Sequence, residues 1–525
     1  MRDILIGIDA GTSVIKSVAF DLGGKQIAAC AIANSYESEG GRGVVQDLDR
    51  TWADTAKTLS DLAGKVENLA SRVAAISVTG QGDGTWLIDK NGNPVGKGWL
   101  WLDARAGDTV ERLRRDSGDA ARFSHTGSGL AACQMGSQLR WILENAPGMI
   151  DGATTGFHCK DWLYFKLTSQ RATDPSEANF TFGDFRTRQY SEDVIDFLDL
   201  RKQRYLLPEI VDGAVTRHAL SDSAAALTGL LAGTPIVLGY VDVVCTSLGA
   251  GLYEPGTDTG CSIIGSTGMH MRLAKGADDV QLNTDLTGYT MCLPIPGHYA
   301  QMQSNMAATL NIDWILSVAG SVLKGMGIEK SKPELLGHVE DWLSQAKETS
   351  LLFHPYISEA GERGPFVDAS ARASFIGLDM KHGFPDMVRA VFNGLAMAAR
   401  DCYVEMGPLP SRVRLTGGAA RSASLRRILG GALGSSVQTS EREEAGAAGT
   451  AMIAAVSLGI YSSMEECVKE WVTPYQRQAE PADKAMAARF DAAFPLYRQS
   501  RLSLRPVWHA LSHGNAPVSE QERPL

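Results

Sequence analysis

Apolar residues open the chain as an almost unbroken run. Ile4-Leu5-Ile6-Gly7-Ile8 leads into the small, polar Asp9-Ala10-Gly11-Thr12-Ser13, after which Val14, Lys16, Val18 and Phe20 alternate with Ile15, Ser17 and Ala19. This pattern predicts strand, tight turn, strand. A turn at Asp21-Leu22-Gly23-Gly24 and a third strand over 25–32 complete an antiparallel set. Over 47–66, Trp52, Ala56, Leu59, Leu62, Ala63 and Val66 recur at helical spacing, an amphipathic helix to cover that sheet. Strands are predicted over 74–79 and 85–88, separated by the glycine-rich break Gly80-Gln81-Gly82-Asp83-Gly84, and 99–105 reads as an aromatic strand ending in Asp103 and Arg105. Helices follow over 135–144 and 160–167, then a polar turn over 173–177, then a buried strand over 235–242 that ends on Asp242.

From residue 259 the pattern restarts. Thr259-Gly260-Cys261-Ser262-Ile263-Ile264, the turn Gly265-Ser266-Thr267-Gly268 and the apolar 269–273 repeat the opening hairpin, with further strands predicted over 288–293 and 299–303 and a helix near Met306. A strand over 412–415 ends in Thr416-Gly417-Gly418-Ala419-Ala420 ahead of a helix over 424–433, and Glu444-Ala445-Gly446-Ala447-Ala448-Gly449 starts another. Beyond Pro474 the chain reads as helical to about Leu502, with a loosely ordered tail from Ser512. Two similar βββαβα units around one cleft are the architecture this predicts.

A turn of small hydroxylated residues brings backbone N–H groups close to a polyanion, and a carboxylate at its mouth can hold a divalent cation bound to phosphate. Asp-Gly-Thr hairpins also serve turn geometry alone, so the repeat is what favours phosphate binding from both sides of a cleft. Asp242, ahead of a helix, suits a general base; an N-cap is the other use of Asp at such a place. The break at 80–84 lies at a strand's carboxyl end, where open α/β sheets bind ligands. The aromatic 99–105 suits a polyhydroxylated ligand, whose C–H faces pack on rings, or equally a buried strand closed by an ion pair.

At 525 residues the chain exceeds one ordinary core. Fifty basic against 60 acidic side chains, a net charge of −10, argue against nucleic acid and anionic membranes as partners. No apolar run approaches the roughly 20 residues of a membrane span, and the start runs directly into a strand, without the pattern of a secretory signal. The eight cysteines stand singly, with no CxxC pair, as buried thiols in a reduced cytoplasm would.

These residues together resemble the FGGY carbohydrate kinases over about residues 3 to 460. IDAGTSVIK (8–16) and IIGSTG (263–268) look like the family's two phosphate motifs, TGGAARSASLRRIL (416–429) with EEAGAAGTA (443–451) like its adenosine motif, and PYISEAGERGPFVDASARASFIGL (355–378) like its stretch with a Gly361-Glu362-Arg363 core. The resemblance implies an α/β fold of two actin-like, ribonuclease H-like ATPase domains with an interdomain cleft: 1–253, 254–472, and a helix and tail over 473–525. It implies ATP and Mg2+ as cofactors, with Asp9 holding the metal and Gly11, Thr12, Ser13, Lys16, Gly265, Ser266, Thr267, Gly417, Gly418 and Ala419 at the nucleotide. Asp242 matches the catalytic base, and Gln81, Gly82, Asp83, Trp101, Asp103, Arg105 and Asp242 the acceptor site. The order Gly-Ser-Thr at 265–267, where many relatives have Gly-Thr-Ser, keeps both hydroxyls. At the acceptor loop, xylulose kinases carry Gln-Met-His-Gly and glycerol kinases an Arg-Glu pair, whereas this chain has Gly82-Asp83. GQGDGTWLID and WLWLDARA look most like members that act on erythritol. The implied partner is a small polyol, a linear tetritol, with Gly82 leaving space where relatives place Met or Arg. A ketopentose, or an actin-like carbohydrate sensor with no acceptor, are the rivals, and a homodimer is compatible.

Overall fold

A computed structural model describes residues 2–347 and 350–512. The tail read from the sequence as loosely ordered lies, beyond Ser512, outside the described residues. Among those described, no helix is long and apolar enough to cross a membrane.

Two six-stranded sheets carry the chain. The first is built from β1 (Ile4–Ala10), β2 (Val14–Asp21), β3 (Gln26–Ala33), β4 (Val73–Gly80) and β5 (Pro235–Leu238), in the order β5-β4-β1-β2-β3, with His218–Ala219 on the β5 edge. Its helices include α1 (Leu48–Lys65), α2 (Cys159–Thr168), α3 (Pro175–Phe182) and α4 (Asp242–Ala250). In the second sheet, β6 (Thr259–Ile264), β7 (Gly268–Ala274), β8 (Tyr289–Cys292), β9 (Tyr299–Asn305), β10 (Arg412–Thr416) and β11 (Ser436–Thr439) lie in the order β8-β9-β7-β6-β10-β11. With it go α5 (Thr309–Gly325), α6 (Phe384–Glu405), α7 (Ala423–Leu433) and α9 (Lys484–Ser512), while α8 (Ala445–Ser457) follows β11 in the chain but packs on β1 and β4 of the first sheet. In each sheet the first strand of a hairpin pairs antiparallel with the second and parallel with a later strand: β1 with β2 and β4, β6 with β7 and β10. The internal repeat predicted from the sequence is therefore a repeat of topology.

Burial on both faces explains why β1 is so apolar. Ile4, Ile6 and Ile8 face a core shared with Leu59 and Leu62 of α1, a helix capped where the Asp47 side chain accepts from the Arg50 amide. Leu5, Gly7 and Asp9 point the other way, because side chains alternate along a strand. That second face is where α8 lies down. A Cβ at Gly7 would stand 2.0 Å from the Ala447 carbonyl oxygen, so helix and strand meet at backbone distance. The same helix crosses α4 equally closely: a Cβ at Gly449 would reach 1.9 Å from the Cys245 carbonyl, and one at Gly249 would reach 2.1 Å from that of Ala445. The small residues of α8 serve helix contact, and its first turn arrives directly beside Asp9.

Four elements differ from the sequence reading. Only Gly98–Trp99 is strand in the aromatic stretch, and 100–105 turns back because the Asp103 carboxylate captures the backbone N–H groups of Val44 and Arg105. The polar turn over 173–177 is the start of α3, whose residues are all buried and whose cap is Asp174. The strand before Asp242 ends at Leu238, and Asp242 is the first residue of α4. After Pro474 the chain does not continue as helix, since Gln476 and Glu480 bridge to Ser440 and Val437 before α9 begins at Lys484.

The seat of α8 yields a stability prediction. Gly449→Ala gains about 1 kcal/mol of helix propensity but forces a methyl into a backbone carbonyl, an overpacking cost of about 1–3 kcal/mol or more. Thermal denaturation is expected to give a lower Tm for Gly449→Ala, whereas Gly64→Ala in α1, where an added Cβ meets nothing within 4 Å, should be neutral or stabilising.

Candidate active site

Both glycine-hydroxyl turns join the strands of a central hairpin, β1 to β2 and β6 to β7. In the first, the Gly11 amide donates to the Val14 carbonyl at 3.0 Å, while Asn34 holds the Gly11 and Ser13 carbonyls with its side-chain and backbone nitrogens. The Thr12 hydroxyl is committed to protein: it donates to Gln81 Oε1 at 3.0 Å and accepts from the Trp101 indole at 2.8 Å. Ser13 is exposed. Lys16 reaches across to Glu444 at the head of α8, Nζ to Oε2 2.8 Å, tying the hairpin to the second half of the chain. In the second turn the Gly265 amide donates to the Thr267 carbonyl, and the carbonyls of Gly265 and Ser266 accept from Thr309 and Ala308 at the start of α5. Ser266 is exposed there.

Beyond β10, Gly417 has φ +86° and lies against the backbone of Ile264, a conformation and a closeness that together require glycine. The face above Gly418 is open, and Ala419 is buried in the core of its lobe, so only its backbone is available to a ligand.

Three carboxylates cluster between the hairpins. The Asp9 carboxylate accepts no hydrogen bond among the described residues; burial pushes its pKa up to about 6, Lys16 opposing and Glu444 adding to the rise. A Cβ on Gly446 would meet its Oδ2 at 2.3 Å. Asp242 Oδ1 accepts from the Val243 amide at 2.7 Å, and its pKa is pushed up to about 7 by burial and by the charges of Asp9 and Asp83. Asp83 sits in the left-handed region at φ +58°. Its Oδ2 accepts from Cys133 Sγ at 3.2 Å and its Oδ1 is buried without a partner. Burial raises its pKa, against the pull of Cys133, His158 and Arg363.

A cleft of about 600 Å³ opens beside this cluster, walled by Trp101 and Cys133 from one lobe and Tyr289, Gln303 and Arg363 from the other. Gln81 is buried in a relay, donating to Gln46, which donates to Asn34, so the acceptor loop and the first phosphate turn form one hydrogen-bonded unit. Asp103 and Arg105 are brought together with each other. Their bidentate pair, with Arg105 stacked 3.4 Å over the Trp99 ring, braces the wall and leaves Asp103 buried with both oxygens engaged. Gly82 does not leave the space expected of it: a Cβ there would lie 2.5 Å from Val241 Cγ2 and 2.9 Å from Glu177 Oε1, so the glycine is the result of a close approach.

Sequence reasoning missed what lies beneath that loop. Glu177 of α3 is fully buried with both carboxyl oxygens unpartnered and His158 Nε2 3.5 Å away, and burial pushes its pKa up to about 8. Behind it, the buried Lys160 ammonium bridges Asp161 at 2.5 Å and Asp174 at 2.6 Å. The signal for α3 was present in Asp174-Pro175, a cap residue followed by proline at the first helical position.

The chain matches the FGGY family of carbohydrate kinases, its N-terminal domain over residues 4–249 and its C-terminal domain over 260–458. It is 54% identical over 512 residues to the erythritol kinase of Brucella abortus (strain 2308), with 98% of each chain covered. Against a xylulose kinase of Staphylococcus epidermidis it is 26% identical, covering 90% of this chain and 91% of that one. Among solved structures, the ligand-bound xylulose kinase of Lactobacillus acidophilus shares the fold with a TM-score of 0.87 over 97% of this chain and 99% of that one, at 20% identity.

The Asp103–Arg105 brace is testable apart from activity. Asp103→Ala strands a half-buried guanidinium and the Val44 amide, and breaking one partner of a buried pair costs about 3–5 kcal/mol. The expected result is a lower urea midpoint, which Asp103→Asn only partly restores.

Proposed function

Since the chain belongs to the FGGY family of carbohydrate kinases, we propose that it transfers the γ-phosphoryl group of ATP to a hydroxyl of erythritol, with Asp242 as base. The observation that carries the acceptor is the 54% identity to an erythritol kinase across both lobes.

Phosphoryl transfer asks little covalent chemistry of a protein; it asks for positioning and for neutralised charge. Asp242, near neutrality in its proton affinity, takes the proton of the acceptor hydroxyl as that oxygen bonds to phosphorus and the bond from phosphorus to the ADP oxygen breaks. A carboxylate with a pKa near 7 is a stronger base than one at 4 and is still free of its proton in a large fraction of molecules at physiological pH. The two exposed turns, 11–13 and 265–267, offer backbone N–H groups and the hydroxyls of Ser13 and Ser266 to the phosphates from opposite lobes. Gly417 and Gly418 give the adenosine an open backbone face, Ala419 contributing from its main chain.

Asp9 fits a magnesium site: a carboxylate without a protein partner, in a cleft kept negative by Asp242 and Glu444. Among the described residues no three His, Cys, Asp or Glu side chains converge on a metal, in keeping with an ion carried largely by phosphate oxygens and water. Magnesium, when bound, neutralises phosphate charge. On the acceptor side, Asp83 and Trp101 face the polyol, while Gln81 holds Thr12 and Asp103 with Arg105 holds the wall.

Acceptor-dependent ADP release across glycerol, erythritol, threitol, xylitol, xylulose and ribulose tests the reading. The highest kcat/KM is expected for erythritol; a preference for a ketopentose would replace it. Asp242→Asn should bind ATP and acceptor and lose about a hundredfold or more in kcat. The sign of the pH dependence follows from the base having to be deprotonated: wild-type kcat/KM should fall as pH drops below about 7, an apparent value belonging to Asp242 coupled with Asp9 and Asp83. The residual activity of Asp242→Asn should lack that limb.

A further inference from the structure

Three arginines line the interlobe cleft, and two of them are committed. Arg42 pairs with Asp108, and Arg114 donates to the Leu130 carbonyl. Arg363 is different. Among the described residues its side chain makes no hydrogen bond and no ion pair, and its Nε is buried without a partner. A buried donor left unmade costs about 1–3 kcal/mol, more when charged, and here it borders a cleft from which a ligand can meet it.

The groups facing Arg363 lack the complementary bond. On the opposite lobe Asp83 Oδ1 is buried without a donor, and Arg363 stands near enough to act electrostatically on both Asp83 and Cys133. Beside Arg363, on β9, Gln303 Oε1 is also buried without a donor. The unmet donor of Arg363 and the unmet acceptor of Gln303 thus line the same cleft, and that of Asp83 lies immediately behind Cys133 in its wall. A hydroxyl both accepts and donates, so a chain of neighbouring hydroxyls is the chemistry that satisfies all of them. A single carboxylate or phosphate would satisfy Arg363 and repel Asp83.

Arg363 is anchored through its main chain. The Glu362 carboxylate accepts from the Arg363 amide at 2.9 Å and from the Met306 amide at 2.8 Å. Two and three residues further on, Ala308 and Thr309 bind the carbonyls of Ser266 and Gly265. The guanidinium and the second phosphate turn therefore hang on one strut.

We propose that Arg363 is an acceptor-binding residue supplied by the C-terminal lobe, donating to one hydroxyl of the polyol while Asp83 of the N-terminal lobe accepts from another. The acceptor then bridges the lobes itself, and its length is measured between Asp83 and Arg363. This rests on the reading of the chain as a polyol kinase, and the test separates the two.

The experiment compares wild type, Arg363→Ala and Arg363→Lys in steady-state kinetics with erythritol and with glycerol, alongside calorimetric binding of each polyol without nucleotide and thermal denaturation. Arg363→Ala is expected to raise the KM for erythritol tenfold or more and to weaken its nucleotide-free binding as much. The KM for ATP should stay within twofold, and the preference for erythritol over glycerol should shrink at least fivefold. Arg363→Lys should recover part of the affinity. A variant that folds as wild type and keeps its erythritol KM and its preference overturns the proposal, and so does an equal rise in both KM values. Failure of the wild type to phosphorylate erythritol would overturn the proposed function instead. Arg363 would then be judged by the same contrast on the best acceptor of the series.

Discussion

Everything in the cleft depends on how closely one helix lies on its neighbours. α8 rests on β1 and crosses α4 at backbone contact, permitted by Gly7, Gly249 and Gly449 and by the alanines around them. At that separation the first turn of α8 abuts Asp9, Glu444 reaches Lys16, and the start of α4 holds Asp242 beside Asp9. A single methyl at any of these glycines would displace a helix that belongs by sequence to one half of the chain and by packing to both. The distance between the lobes is thus set in the core, and the chemistry at the surface of the cleft inherits it.

That arrangement concentrates negative charge where water is scarce. Asp9 and Asp242 both bind protons more tightly than free carboxylates, burial being the main cause in each, with mutual repulsion adding to it at Asp242. Such crowding destabilises the empty site, because between about pH 4 and 7 the folded chain holds protons that the unfolded chain has released, and stability falls as pH rises through that window. A cation beside Asp9 and a proton taken up by Asp242 both relieve the repulsion.

How much of this was legible in the chain depended on range. The hairpins at 11–13 and 265–267 were readable because strand, turn and strand are contiguous, and α1 because its buried positions recur every three or four residues. The stretch 99–105 misled: aromatic residues in a row look like a strand, yet a contact from Asp103 to Val44, 59 residues away, turns it. Gly82 misled for another reason. A glycine in a sequence says that a side chain is missing, not whether Val241 and Glu177 have taken its place. The bond from Lys16 to Glu444 spans 428 positions, and no local pattern announces it. The roles of Asp9, Asp242 and Asp83 were suggested one at a time; their mutual influence belongs to the folded molecule.

The backbone at Asp83 narrows the ways in which acceptor choice could change. At φ near +58° Gly is unstrained and Asn, Asp and His are the favoured side chains, whereas a β-branched residue crowds its own carbonyl. A lineage, or an engineer, seeking a new acceptor can exchange this side chain for asparagine or histidine on the same backbone, but not for a β-branched residue without first remaking the loop. Variation is cheaper on the facing wall, around Tyr289, Gln303 and Val367, where the main chain makes no such demand. One side of the acceptor site is written in the shorter alphabet, and the wider choice of side chains lies on the other.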